Sequence, residues 1–234
     1  MNSAKPSTTS PLPRGPHAFS ADAVGADQRR RLLEALPRAV ADHGYDKTTV
    51  EHIVKLAQVR RNSFYEQFED KQDCFGVAYE IAQARLLGVL TLQCYIRQGV
   101  TDRVSAALDG ALELLRSEPD IARLLIVEAP AAGEKISVRH HEWLDRYGRM
   151  LHLAAVGRHE PAPPPAAVEP AVVGGIVSRI KQVVLAGETD KLPGLRPELA
   201  QFALSFYSAR EAPPVRREGE DLPQPQSSSV LEPV

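Results

Sequence analysis

The sequence predicts an all-α protein with a small three-helix head and a larger helical body. Three observations carry that expectation. Apolar residues recur at spacings of three and four through nearly every segment between residues 28 and 209. Proline and glycine gather where such stripes stop, or sit just inside their start, where a missing N–H removes no helical bond. No alternating run of β-branched residues competes for a strand.

In chain order, residues 1–26 are rich in Pro, Ser, Thr and Gly without periodicity, and read as an unstructured arm. The segment 28–43 puts Leu32, Leu36, Ala39 and Val40 on one face, with Pro37 expected to kink it and Gly44 to end it. A short second helix carries Val50, Ile53, Val54 and Ala57, its start marked by Thr48 and Glu51 as a capping box. A third passes through Phe64 and Phe68. Asp70 then reads as the N-cap of a long fourth helix over 71–95, carrying Phe75, Ala78, Tyr79, Ala82, Leu86 and Leu90. Stripes over 104–115, 119–128, 134–156, 171–186 and 197–209 complete the body. The proline-rich stretch 158–170 separates two of these helices, and the chain from about 211 reads as a disordered tail. The expected division is therefore arm 1–26, head 27–75, body 76–210 and tail 211–234.

Composition narrows the function. Of 234 residues, 43% are hydrophobic, enough for a real core. No stretch is read as a membrane span, and the N-terminus lacks the apolar core of a secretory signal, so a cytoplasmic protein is expected. Cys74 and Cys94 are too few for a disulfide framework and lie in no metal spacing. The net charge of −2 gives no bulk attraction for nucleic acid, so any such role must rest on local clusters such as Arg29–Arg31 and Arg60–Arg61.

A short capped helix, a turn of about four residues and a second short helix with polar residues at its start form the helix-turn-helix arrangement, whose second helix enters the DNA major groove. Here the turn is Gln58, Val59 and Arg60. Val59 and Phe64 are expected to pack inward, and Arg60, Arg61, Asn62 and Ser63 to project outward. Arginine pairs with two acceptors of guanine, and asparagine pairs likewise with adenine. Thr48, Thr49, Tyr65, Gln67 and Lys71 complete the candidate DNA-binding set, with Thr49, Tyr65 and Lys71 placed to hold phosphates.

The segment TTVEHIVKLAQVRRNSFYEQFEDKQDCF resembles the DNA-binding segment of the tetracycline-repressor (TetR) family of bacterial regulators. The residues that carry the resemblance are Thr48, Thr49, Ile53, Ala57, Val59, Ser63, Phe64, Tyr65, Phe68 and Lys71, with Gly44 and Tyr45 as the exit from the first helix. Three positions depart from the family pattern. Gln58 stands at the usual turn glycine, Arg60 at the usual serine cap, and Gln67 at the usual His or Tyr. The resemblance implies a homodimer on double-stranded DNA, a repressor released by a small-molecule effector, and no enzymatic activity. It also implies that the last two helices pair with those of a partner in a four-helix bundle. Their apolar stripes are Val172, Val173, Ile176, Ile180 and Val183, then Leu199, Phe202, Ala203 and Phe206, with Gly174 and Gly175 permitting close approach. Glu128, Trp143, Tyr147 and Met150 are the candidate effector pocket. His140 and His141 point about 100° apart on a helix, so no metal site or cofactor is expected. Nor does a nucleophile–base pair or phosphate loop appear. A DNA binder without an effector, and an all-α small-molecule carrier or enzyme, are the alternatives.

Overall fold

In the computed structural model the described residues are 21–155 and 168–208. The expected arm up to residue 20, the tail and most of the proline-rich stretch lie outside them. The described chain is helical throughout: α1 (Ala21–His43), α2 (Val50–Ala57), α3 (Arg61–Gln67), α4 (Lys71–Tyr95), α5 (Val100–Ser117), α6 (Pro119–Arg123), α7 (Glu134–Ala155), α8 (Val168–Leu185) and α9 (Arg196–Ser208).

Helix α1 starts at Ala21, so the last six residues of the expected arm are helical. The reason is local. Ala-rich sequence favours helix, Asp22 suits the positive N-terminal end, and the extra turn brings Gly25 beside the amide of Gln67. The helix runs on through Pro37, which is buried. Proline there removes the donor that the Leu33 carbonyl would have received and crowds that carbonyl with its ring. Gly44 closes α1 at φ 75°.

The cap of α2 is displaced by one residue from the expected box. Thr49, not Thr48, accepts from the His52 backbone at 3.3 Å, and the His52 ring returns the contact to the Thr49 N–H. Asp70 caps α4 by accepting from the Asp73 N–H at 2.8 Å. By length and average composition α4 is apolar enough to cross a membrane, although Glu80, Gln83 and Arg85 interrupt its apolar residues. Here it packs along α1, α5 and α7 as the spine joining head and body.

After α6 the chain shifts its register through a π-helical turn, Leu124–Glu128, then a 3₁₀ turn, Ala129–Ala131. The expected single helix over 119–128 is therefore two pieces with different facing. Pro170 falls in the first turn of α8 rather than in the preceding loop, since no helical bond is lost there. One continuous core runs through both parts of the molecule. Leu32, Leu36, Ile53, Phe64, Phe75 and Tyr79 fill its head end, and Leu112, Leu115, Leu124, Leu125, Ile136 and Leu192 its body end. Each such side chain contributes about 1.5–3 kcal/mol on burial, so the two parts support each other.

Candidate nucleic-acid interface and cavity

The turn between α2 and α3 holds an expensive backbone geometry. Gln58 lies at φ 54°, ψ 43°, the left-handed region that glycine favours. Its N–H donates to the Lys55 carbonyl, and its own carbonyl accepts from Arg31 Nη2 at 3.0 Å. Arg60 opens α3 without a side-chain cap. What fixes α3 instead is its inner face. Phe64 is fully buried, Phe68 nearly so, with ring centroids 5.6 Å apart.

Two of the clustered arginines prove to be braces. Arg29 donates to the Gln67 carbonyl at 2.7 Å and lies 4.4 Å from the Phe68 ring centroid, tying α1 to the end of α3. Arg31 holds the turn through Gln58. Arg30 is occupied on its own helix by Asp27 and Glu34. The charge run alone did not distinguish bracing from a DNA-facing or solvated role, because both braces reach backbone carbonyls.

The outward edge of α3 consists of Arg60, Arg61, Asn62, Tyr65 and Glu66, all exposed. Arg61 lies 3.3 Å from the Tyr65 hydroxyl, which accepts from it, and 3.9 Å from Glu51. Tyr65 is 49% exposed. Thr49 is also exposed, its hydroxyl oxygen engaged as a cap. Three expected contacts are corrected. Ser63 is buried against the core rather than outward, because it lies on the same side of α3 as Phe64. Thr48 is 2% exposed, its hydroxyl turned to the carbonyls of Gly44 at 2.7 Å and Ala39 at 3.2 Å, where it closes the α1–α2 corner. Lys71 is half-buried, donates to the Tyr45 carbonyl at 2.7 Å and stands 4.2 Å from the Tyr45 ring centroid. Burial lowers its pKa. Gln67, partly buried at the end of α3, faces Gly25.

Tyr45, expected only as part of the exit from the first helix, is a junction between head and body. Its carbonyl is held by Lys71 of α4, and its N–H donates to Glu128 Oε2 at 2.9 Å. Its ring meets Phe75 edge-on at 5.0 Å. Glu128 is 7% exposed, and its other oxygen accepts from Arg123 Nε at 3.0 Å. The expectation that Glu128 lines a pocket is thus corrected: it points from the π turn to the head.

The cavity lies in the body among α4, α5, α7 and α8, with a volume of about 140 Å³. Tyr147 and Met150 are on its wall, together with Leu125 and Ile126 of the π turn. Trp143 is not on that wall; it packs 5.9 Å from Tyr147 and donates to Glu80 at 3.3 Å. Polar groups on one side form a chain. The Tyr147 hydroxyl donates to Gln83, the Gln83 amide donates to the Tyr79 oxygen, and Tyr79 lies 3.0 Å from His140 Nδ1. With its oxygen accepting, Tyr79 donates to Nδ1, leaving the imidazole proton on Nε2. Burial lowers the His140 pKa, in keeping with that neutral ring. Cys74, buried under the head, has its thiol pushed up to about 12 by desolvation.

Residues 32–78 match the sequence profile of bacterial regulatory proteins of the TetR family. That match covers 47 of the 234 residues and places a TetR-type segment in the head. Over 107 residues the chain is 30% identical to the HTH-type transcriptional repressor Rv1474c of Mycobacterium tuberculosis, a match covering 42% of this chain and 56% of that repressor. Its TetR-type fold is similar to that of FadR from Bacillus subtilis, solved in complex with stearoyl-CoA, at a TM-score of 0.67 and 15% identity over 75% of this chain and 97% of that one. FadR from Bacillus halodurans aligns at 0.65 with 16% identity, covering 75% of this chain and 97% of its own. A TetR-like regulator from Rhodococcus sp. RHA1 aligns at 0.61, also with 16% identity, over 76% and 96%.

Proposed function

We propose that this chain is a TetR-family, cytoplasmic transcriptional repressor that binds a twofold-symmetric operator as a homodimer and is released by a small molecule in the body cavity. The observation that carries the DNA half is the exposed edge of α3. Arg60, Arg61, Asn62 and Tyr65 share an edge of a helix whose other side is locked by Phe64 and Phe68. Such an edge reads bases only if its support is rigid, and the braces from Arg29 and Arg31 supply that.

Release arises from the wiring between cavity and head. Leu125 and Ile126 form cavity wall, and Glu128 in the same five-residue turn holds the Tyr45 N–H. A ligand that pushes on the wall displaces the turn and with it the corner where the head is anchored. It shifts the equilibrium only by its differential affinity for the two arrangements. That FadR from Bacillus subtilis, which shares this fold, was solved in complex with stearoyl-CoA supports a small-molecule effector.

Selection of bound duplexes from a random pool tests the reading. Inverted half-sites about 34–36 Å apart, or a multiple of one helical turn, are expected. Arg61→Ala should weaken the selected site by about 1–3 kcal/mol at fixed salt and relax the preference at one base position. An asymmetric or sequence-blind pool, or unchanged affinity in an Arg60→Ala, Arg61→Ala variant, sinks it.

A further inference from the structure

We infer that the body cavity selects a compact, uncharged aromatic molecule with a single oxygen acceptor, received by the Nε2–H of His140; the inference rests on the reading of that cavity as the effector site. Its volume of about 140 Å³ is close to that of a dry apolar cavity that takes benzene. One ring with a small substituent fits such a space, and a long hydrocarbon chain exceeds it.

The wall fixes the charge of the occupant. Apart from Gln83, His140, Tyr147 and the sulfur-bearing Cys94 and Met150 it is aliphatic, and it contains no aspartate, glutamate, lysine or arginine. An ionised group entering it loses its water without meeting an opposite charge. Protonated His140 does not fill that gap, because burial disfavours its charged form. The thioether of Met150 adds a preference for the edge of an aromatic ring.

The acceptor follows from where the polar chain stops. The Tyr147 hydroxyl donates to Gln83, and the Gln83 amide donates to Tyr79. Tyr79 in turn occupies Nδ1 of His140 at 3.0 Å, which leaves the ring proton on Nε2. His140 is 7% exposed, and among the described residues no acceptor meets Nε2. The network therefore ends at the wall on a donor without a partner. A buried donor in that state costs free energy until an acceptor completes it. Water serves poorly, since an enclosed water needs about two to four polar partners and most of this wall is apolar. A carbonyl, ether or phenol oxygen needs only the one.

Acetophenone, α-methylstyrene and benzoate test this, because they share one ring and one flat substituent of the same shape. Exchanging the ketone oxygen for a methylene gives the hydrocarbon, and exchanging the methyl for an oxyanion gives the acid. By calorimetry at neutral pH, acetophenone should bind about tenfold or more tightly than α-methylstyrene, and benzoate more weakly than either. In nitrogen NMR of isotope-labelled histidine, acetophenone should move one ring signal, the one that disappears in His140→Phe. That variant should lose the ketone preference and keep its affinity for α-methylstyrene, which reports an intact cavity. Ala111→Phe, which fills the space, should abolish binding of all three with helical content unchanged by circular dichroism. Equal affinity for ketone and hydrocarbon, tighter binding of benzoate or octanoate than of acetophenone, or a ketone preference that survives His140→Phe overturns the inference. Operator affinity measured in the same samples keeps the two readings apart. Ketone binding without operator release sinks the regulatory mechanism and leaves the ligand class standing.

Discussion

Gln58 stands at φ 54° where the family pattern has glycine, and the chain pays for that residue in backbone strain. A side chain in the left-handed region costs about 1–2 kcal/mol, offset in part by the extra freedom glycine has when unfolded. Gln58→Gly should therefore stabilise the protein by roughly 1 kcal/mol or a little less. In a chain of this size that raises Tm by about 2–4 °C, readable by calorimetry. An unchanged or lower Tm would mean that the Gln58 side chain makes a compensating contact. This position was fully legible, because a missing glycine in a known turn states its own cost. Thr48 and Ser63 were not. Hydroxyl residues at a helix start serve equally as caps, phosphate contacts or core anchors, and only the path of the chain decides. Lys71 was misread for the same reason: a long side chain near a helix start reaches inward as easily as outward, and the Tyr45 ring and carbonyl attract it inward.

Helices were easier to read than the facing of the side chains on them. The limits of α4 coincide with its expected 71–95 span, since Asp70 is a strong cap and the stripe never breaks. Glu128 was misplaced because a π turn rotates the residues beyond it, and no sequence period announces a single i→i+5 turn. The consequence is testable without an effector. A charged acceptor holding the Tyr45 N–H contributes about 1.5–3 kcal/mol, so Glu128→Gln should speed hydrogen exchange at that amide by roughly ten- to a hundredfold. Unchanged exchange would show that the head does not depend on this contact. His140, on α7 against α4, makes the second prediction at this scale. Its folded pKa is lowered, so between that value and the unfolded value of about 6.5 the unfolded chain binds more protons. This contribution to stability is complete above about pH 6.5 and declines as pH falls, by up to about 1.4 kcal/mol per unit. His140→Gln should flatten that acid slope in urea unfolding at pH 5–7; an equally steep slope would assign it to other groups.

For the whole molecule the question is which face meets a second copy. The stripes on the last two helices were expected to face a partner, yet most of them are consumed at home. Val172, Val173, Ile180, Val183, Leu199 and Ala203 are all buried within the protomer. A sequence stripe marks a buried side without saying what buries it, and here α5, α7 and the 3₁₀ segment Thr189–Leu195 do so. What remains outside is Phe202, 37% exposed, and Phe206, 41% exposed, their rings edge-to-face at 5.3 Å. Phe202 is seated over Gly175, where a Cβ would come within 3.0 Å of its ring, while Gly174 faces open space that another helix can approach. The proposed dimer therefore closes on this aromatic edge. Two reading heads bind an inverted repeat far more tightly than one, because the second contact is intramolecular once the first is made. Phe202→Asp with Phe206→Asp should leave a folded monomer by sedimentation and helical content, since neither ring belongs to the fully buried core. Operator affinity should fall by at least about a hundredfold, even though every residue of the α3 edge is intact. A variant that remains dimeric would move the interface elsewhere on the body, and a monomer that keeps full affinity would remove the need for twofold symmetry altogether.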